Sequence, residues 1–292
     1  MTDFQSMERL VEQATQDGMT LSALTLSLQA KSMKQEPIIL QERMRRTLEI
    51  MRESAANGQR EVRSASGLCG GLAERLLQND AGLLGKTAHR AAIFALSISE
   101  HNACMGRIVA APTAGSCGIL PGVLLALGET YCLDSDRLTE GLFNAAAVGM
   151  VIAHRATLSG AKGGCAAECG SAGAMAASAA VELLGGTPQM CANAVALALK
   201  AVMGLVCDPV AGLVEVPCVK RNATGAVLAL TAAQLALAGI PSAIPADEVI
   251  DAMRQVGALM HESLRETSKG GIAATRTAQQ IEKRLKGEET VW

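Results

Sequence analysis

Three of the nine cysteines lie in segments rich in glycine and proline, where thiol groups from distant turns can meet. Cys165 directly follows two glycines, and Cys207 and Cys218 bracket a stretch that begins with Asp208 and ends with Pro217. Thiolates held by short, rigid turns are suited to a metal ion or an iron-sulfur centre, because nearby backbone amides can donate hydrogen bonds to the sulfurs. The spacing therefore predicts a metal or iron-sulfur site at Cys165, Cys207 and Cys218.

Two other interpretations of the cysteines remain open from the sequence. Cys169 follows Cys165 by four residues and so lies on the same helical face, which leaves open a closed four-cysteine zinc site. Free cysteine is also a common small hydrophobic residue of protein cores. We expect that structural role for Cys69, Cys132 and Cys191.

A second candidate site is the loop 110–118, which runs directly into an apolar helix expected to begin near Ile119. Its glycines and the hydroxyl groups of Thr113 and Ser116 offer hydrogen-bond donors at a helix amino terminus, where backbone amides lack partners. Such an arrangement is suited to a carboxylate or a phosphate, although an ordinary capped turn contains the same residue types.

Polar residues just before this loop favour the ligand-binding interpretation. The segment 99–102 (SEHN) places four polar side chains together in an otherwise apolar region. Such a cluster needs partners or a ligand, because an unpaired polar group is costly to bury. His101 alone is a weak signal, since a single histidine is more often structural. Beside Asn102, Thr113 and Ser116 it becomes a candidate site residue.

The composition excludes several classes of function. With 26 basic and 28 acidic side chains and only one Trp, one Tyr and three Phe, the chain lacks the features of a nucleic-acid-binding protein. The uncharged segment 222–246 contains polar residues and two prolines, which favours a buried helix over a membrane span. The amino terminus lacks the basic start and apolar block of a secretory signal, so we expect a cytoplasmic protein with reduced cysteines.

Helical periodicity dominates the sequence, and no sustained alternating run of Val, Ile and Thr predicts a strand. We therefore predict an all-α fold in which glycine-rich loops carry the site cysteines. Residues 1–60 are the most charged and predict a helical amino-terminal arm, and residues 61–292 predict one main helical domain. In that domain helices are expected at 87–103, 118–131, 135–157, 168–184, 188–203, 222–237, 246–266 and 275–287.

Four motifs together resemble the alpha subunit of iron-sulfur L-serine dehydratases. They are 101–116 (HNACMGRIVAAPTAGS), 163–165 (GGC), 168–173 (ECGSAG) and 207–218 (CDPVAGLVEVPC). The similarity extends from about residue 67 to residue 271. A combination of several long motifs is highly specific for one family.

The resemblance implies an all-helical iron-sulfur catalytic domain with a [4Fe-4S] cluster. Three cysteines of the family hold the cluster at intervals of 42 and 11 residues, which Cys165, Cys207 and Cys218 match. One iron is then left without a protein ligand, and in the family it is thought to bind the substrate as a Lewis acid. The implied reaction is the dehydration and deamination of L-serine to pyruvate and ammonia, without pyridoxal phosphate.

Residue roles within this reaction are hypotheses. His101 is the candidate base or proton carrier, because an imidazole titrates near neutral pH and lies next to the anion-suited loop. Asn102, Thr113 and Ser116 are expected to orient the carboxylate or the amino group of serine.

The resemblance also implies partners and leaves rivals. No counterpart of the family's beta domain is found in the chain, so a separate beta subunit is expected, together with contacts between copies of this chain. One rival function is cysteine desulfidation, because an open iron binds a thiol as readily as a hydroxyl. The other is a non-catalytic structural subunit with zinc held by Cys165, Cys169, Cys207 and Cys218.

Overall fold

The structure is a computed structural model that describes residues 4–60 and 63–287. In these ranges the chain forms helices and no strand, and two isolated bridges are its only β-type pairings, so the predicted all-α fold is confirmed. The α-helices are α1 Met7–Gln16, α2 Leu21–Met33, α3 Pro37–Gly58, α4 Leu72–Gln78, α5 Lys86–Ala103, α6 Ile119–Tyr131, α7 Ser135–Arg155, α8 Gly160–Cys165, α9 Ser171–Leu183, α10 Pro188–Ala201, α11 Cys218–Leu237, α12 Ala246–Leu259 and α13 Arg276–Leu285.

Side-chain caps set several of these helix starts. Asp134 precedes α7 and accepts a hydrogen bond from the Arg137 amide at 2.9 Å. Thr187 precedes α10 and accepts one from the Met190 amide at 3.3 Å. These caps satisfy amides that have no partner within the first helical turn.

Two predicted helix limits are wrong. Helix α12 was expected to continue to Glu266, but it ends at Leu259, and a 3-10 turn at Glu262–Leu264 follows. The backbone after this turn pairs with Cys207, which competes with continuation of the helix. Helix α11 begins at Cys218, four residues before the expected start at 222. Its first turn therefore includes one of the predicted site cysteines.

Small residues let the central helices approach closely. Helices α5, α6, α9 and α11 pack against one another, and alanine supplies much of their buried surface. A Cβ atom at Gly122 of α6 would lie 2.9 Å from the Ala91 carbonyl oxygen of α5. Glycine is required at such a contact because any side chain would push the two backbones apart.

The amino-terminal helices α1, α2 and α3 pack against the rest of the fold through one continuous apolar core. Met7, Leu10, Val11 and Ala14 are buried in it, as their helical spacing predicts. Asp247 of α12 accepts hydrogen bonds at the start of α1, including one from the Met7 amide at 2.9 Å. The arm is thus firmly packed, and the domain division at residue 60 stays a prediction.

A network of polar side chains is buried between α2, α7, α9 and α10. Asn144 donates to Glu182 at 2.7 Å and accepts from the Ser178 hydroxyl at 2.6 Å. The Ser22 amide donates to Glu182 at 3.2 Å, and the Cys191 thiol lies 3.8 Å from the Asn144 amide nitrogen. Each buried group has a partner, as burial of polar groups requires.

Within the described ranges, no helix has the length and apolar character needed to cross a membrane. Segment 222–246 accordingly contains most of α11, whose alanines pack into the core, as the buried-helix interpretation predicts.

Candidate functional site

The first predicted site cysteine, Cys165, lies at the end of α8, where a π-helical turn at Ala166–Gly170 follows. Gly164 has a φ angle of 69°, and a Cβ atom there would lie 2.7 Å from the carbonyl oxygen of Leu205. The Ala166 amide donates to the same oxygen at 3.0 Å. Because only glycine fits this conformation and contact, Gly164 fixes the approach of Cys165 to the segment before Cys207.

The second cysteine, Cys207, is held by the segment that follows α12. Its amide donates to the Leu264 carbonyl oxygen at 2.9 Å, and its carbonyl oxygen accepts from the Glu266 amide at 2.7 Å. The chain beyond residue 260 thus packs beside Cys207 as irregular backbone.

The third cysteine, Cys218, begins α11, and Asn222 one turn later links it to the loop 110–118. The Asn222 side chain accepts from the Gly118 amide at 2.9 Å and donates to the Gly115 carbonyl oxygen at 2.8 Å. It also donates to the Cys218 carbonyl oxygen at 2.9 Å. Asn222 was not singled out in the sequence, although it is a buried amide at the start of a long apolar helix.

All three predicted site cysteines are buried and lie within electrostatic range of one another. Cys165, Cys207 and Cys218 are 3%, 4% and 8% exposed, and each pair of the three interacts electrostatically. Burial raises the pKa of Cys218 to about 12 and that of Cys207 higher still, and the charge of Glu168 adds to both shifts. These thiols therefore keep their protons well above neutral pH.

Cys165 differs from the other two thiols. Its sulfur lies 3.3 Å from that of Cys169, and this hydrogen bond, aided by the Arg221 guanidinium, lowers the pKa of Cys165 against the effect of burial. Arg221 is itself fixed by Asp208 at 2.9 Å and by the Val206 carbonyl oxygen at 2.8 Å. A positive charge is therefore positioned beside the thiol most ready to ionise.

In the described part of the chain, no three His, Cys, Asp or Glu side chains are arranged to hold a single metal ion. The four-cysteine zinc site of Cys165, Cys169, Cys207 and Cys218 stays an alternative to the iron-sulfur site.

Glu168 connects the cysteines to the loop. Its carboxylate accepts from the Thr113 hydroxyl at 2.7 Å and from the Cys207 thiol at 3.6 Å. The hydroxyls of Thr113 and Ser116 lie 3.1 Å apart, so the two predicted substrate residues belong to the same group. Burial raises the pKa of Glu168, and the hydrogen bond from Thr113 partly offsets this. Sequence reasoning gave Glu168 no role, although it is a charged residue in a run of Gly and Ala.

His101 and Asn102 lie at the end of α5 beside the loop. The Asn102 amide donates to the Ala114 carbonyl oxygen at 3.2 Å. The His101 ring packs over Gly106, where a Cβ atom would lie 2.3 Å from ring atoms, and it has no hydrogen bond or ion pair among the described residues. Burial lowers the pKa of His101, which favours the neutral ring. The structure gives no direct contact between this ring and Thr113 or Ser116.

The other two polar residues of the segment 99–102 are structural. The Ser99 hydroxyl donates to the Ala95 carbonyl oxygen at 2.7 Å. The buried Glu100 carboxylate accepts from the amides of Leu72 and Ala73 at 2.9 and 2.8 Å, and so caps α4. The polar cluster therefore divides into two packing residues, Asn102, which bonds the loop, and His101, whose ring packs over Gly106.

A cavity of about 530 Å³ lies elsewhere, between the turn at residues 63–71 and α4. Arg63, Cys69 and Arg75 are among its lining residues, and none of the predicted site residues is. The cavity therefore lies apart from the cysteines and the loop 110–118.

The three cysteines assigned to the core divide between two environments. Cys69 and Cys191 are buried, and burial raises the pKa of each to about 12. Cys132 is exposed and follows α6 with a φ angle of 53°, so its assignment as a core residue is wrong. The residue ends a helix, where the chain turns at the surface.

Comparison with known proteins gives a consistent result. Residues 16–273 match the family model described as serine dehydratase alpha chain. A probable L-serine dehydratase alpha chain of Bacillus subtilis (strain 168) is 44% identical over 287 residues, which cover 97% of this chain and 96% of that relative.

Two further relatives are similar over a shorter span. A probable L-serine dehydratase alpha chain of Latilactobacillus sakei is 54% identical over 67% of this chain and 93% of its own length. The L-serine dehydratase alpha chain of Peptoniphilus asaccharolyticus is 51% identical over 68% of each chain. The matched region includes every predicted site residue, and the chain belongs to the serine dehydratase alpha chain family.

Proposed function

We propose that this chain is the alpha subunit of an enzyme that converts L-serine into pyruvate and ammonia. The observation that carries the proposal is the linkage of two buried cysteines, Cys207 and Cys218, to the loop 110–118 through Glu168 and Asn222. Membership of a family whose relatives are named for this reaction supports the choice of substrate.

The residues fit a [4Fe-4S] cluster held by Cys165, Cys207 and Cys218. Each thiol is buried and comes from a different segment, and Arg221 supplies a positive charge that offsets part of the charge of the thiolates. When bound, such a cluster supplies an iron without a protein ligand, which acts as a Lewis acid on the serine hydroxyl.

The side chains around the cysteines then have separate tasks. A ring nitrogen of His101 accepts the α-proton of serine, which is possible because burial favours the neutral imidazole. The hydroxyls of Thr113 and Ser116 bind the substrate carboxylate, while Glu168 fixes the Thr113 hydroxyl. Asn102 is fixed on the loop by its bond to Ala114 and orients the substrate amino group.

These steps balance as an elimination followed by hydrolysis. Loss of the α-proton and of hydroxide converts serine into aminoacrylate and water. Aminoacrylate tautomerises, and one water molecule then converts it into pyruvate and ammonia. No net oxidation occurs, so the enzyme is a lyase.

A beta subunit completes the proposed enzyme, as the alpha chain names of the relatives indicate. We also place the protein in the cytoplasm, because its nine cysteines are free thiols, which a reducing compartment maintains. Contacts between copies of this chain stay a prediction.

The test is anaerobic purification of the chain with and without a co-expressed beta subunit, followed by iron, sulfide and zinc analysis. We expect about four irons and four sulfides for each alpha chain, and pyruvate release from L-serine by the complex. One zinc without sulfide would support the structural-subunit alternative. Faster pyruvate release from L-cysteine than from L-serine would support desulfidation.

A further inference from the structure

Cys169 is a buried thiol that the proposed function does not use. Its sulfur lies 3.3 Å from the sulfur of Cys165, with the π-helical turn at Ala166–Gly170 between the two. The nine cysteines all lie in the described residues, and this is the one pair of sulfurs in hydrogen-bond contact there. A second thiol is thus in contact with one proposed cluster ligand.

The two sulfurs are close enough to bond after a small movement. A disulfide has a sulfur–sulfur length near 2.05 Å, so the sulfurs must approach by about 1.3 Å.

We propose that a peroxide converts Cys165 and Cys169 into an intrachain disulfide when the cluster is absent, and that this protects Cys165 from irreversible oxidation. Hydrogen peroxide transfers one oxygen atom to one thiol, which gives a sulfenic acid and one water. The second thiol attacks that sulfur, the disulfide forms and a second water leaves. In total two thiols lose two electrons and two protons, and one peroxide becomes two waters.

The disulfide also governs cluster assembly, an effect that rests on the proposed function. An oxidised Cys165 has no thiolate to offer iron, so the chain cannot take up a cluster until the bond is reduced. A bound cluster in turn occupies the Cys165 sulfur and prevents disulfide formation. Cys169 therefore acts as a resolving thiol that keeps the ligand recoverable.

The test treats the full-length apoprotein with hydrogen peroxide, blocks the remaining thiols and maps the disulfides by mass spectrometry. Trypsin together with a protease that cleaves after glutamate separates the fragments 163–168 and 169–182 at Glu168. The same digestion places Cys191 in a third fragment. We expect the first two fragments to be joined to each other in most molecules, and to separate after dithiothreitol treatment.

Three variants complete the design. In Cys169→Ser, with Cys169→Ala as a check on side-chain effects, Cys165 should instead gain two or three oxygen atoms, which dithiothreitol does not remove. The matched control Cys132→Ser removes an exposed thiol and should leave the joined fragments at the wild-type yield.

The wild-type result alone decides whether peroxide joins Cys165 and Cys169. Absence of joined fragments, or a main product linking Cys165 to Cys207 or Cys218, would overturn it. Equal irreversible oxidation of Cys165 in wild type and Cys169→Ser would overturn the protective role. If the fragments join but the reduced chain binds no iron, the disulfide stands and the proposed cluster fails.

Discussion

Two polar groups in this molecule contain the same kinds of side chain but differ in the backbone that carries them. The buried network joins Glu182, Asn144, Ser178 and Cys191. The candidate site joins Glu168 with two hydroxyls and a cysteine thiol, namely those of Thr113, Ser116 and Cys207. Each group therefore combines a carboxylate, at least one hydroxyl and a thiol.

The difference lies in the backbone. The network side chains project from the regular helices α7, α9 and α10, and they satisfy one another. The site side chains project from the loop 110–118, a π-helical turn and the irregular segment after α10. Irregular backbone is fixed here by side chains such as Asn222 and by the close contact at Gly164. Groups that stabilise the fold in one place are thus available to position a ligand in the other.

The largest effect should come from removing a proposed cluster ligand. In Cys207→Ser, we expect loss of iron, sulfide and pyruvate release to background, because a serine hydroxyl is a poor iron ligand. The check is metal analysis and a serine assay of the anaerobic complex. In Cys191→Ser, the matching change in the buried network, cluster content should be kept, and if both variants lose the cluster equally the comparison fails.

Next in size is the effect of His101→Gln. Loss of the proposed general base should lower turnover by about 10² to 10⁴-fold, while the cluster absorbance should be unchanged because no hydrogen bond in the described structure joins the His101 ring to a cysteine. Measurement of kcat beside the visible spectrum separates the two effects. Wild-type turnover in this variant would remove His101 from the mechanism.

A smaller loss is expected for Glu168→Gln. The Thr113 hydroxyl and the Cys207 thiol donate to different carboxylate oxygens, and glutamine would present an NH2 donor to one of them. Loss of such a supporting contact costs about 10 to 100-fold in metal affinity or activity. Iron content and kcat/KM of the purified complex measure the size of this loss. The free energy of unfolding should change by less than about 1 kcal/mol.

The corresponding change in the network should affect stability only. Asn144→Ala leaves Glu182 with a single amide partner and Ser178 without its acceptor, which costs about 2 to 4 kcal/mol of unfolding free energy. Urea unfolding of the apoprotein measures this loss. A change in kcat larger than that of Glu168→Gln would show that the network also positions the site.

The last effect, confined to alkaline pH, is a pH dependence of stability. Burial raises the pKa of Cys191 from 9.0 to about 12, so the folded state holds this proton after the unfolded state has lost it. The contribution of this protonated thiol to the free energy of unfolding is complete below pH 9. It is lost as the pH rises towards 12, at about 1.4 kcal/mol per pH unit. Between pH 9 and 11 the free energy of unfolding of Cys191→Ala should therefore fall less steeply with pH than that of the wild type. An equal slope would show that Cys191 does not cause the pH dependence.

Much of the fold follows from local signals. Caps such as Asp134 and Thr187 act within one turn, and the apolar spacing of α1 needs only a helix period, so both are visible in the sequence. The end of α12 is not visible in the sequence, because it depends on pairing between Cys207 and residues 264–266, which are far apart along the chain.

The candidate site divides in the same way. Residue types and spacing in the sequence select Cys165, Cys207, Cys218, His101, Asn102, Thr113 and Ser116. They do not reveal Glu168 as the link between loop and cysteine, nor Asn222 as the residue that bonds both Cys218 and the loop. Hydrogen bonds between distant segments exist only after the helices pack.

The amino-acid sequence by itself determined the helical class, the cysteine spacing and the family, because periodicity and motifs are properties of residue order. Only the tertiary structure decided which polar groups pair with one another and which face the cysteines. It also placed the Cys169 sulfur beside Cys165, and it left Cys132 exposed. The physical reason is that burial and hydrogen bonding depend on distances between atoms, which packing sets.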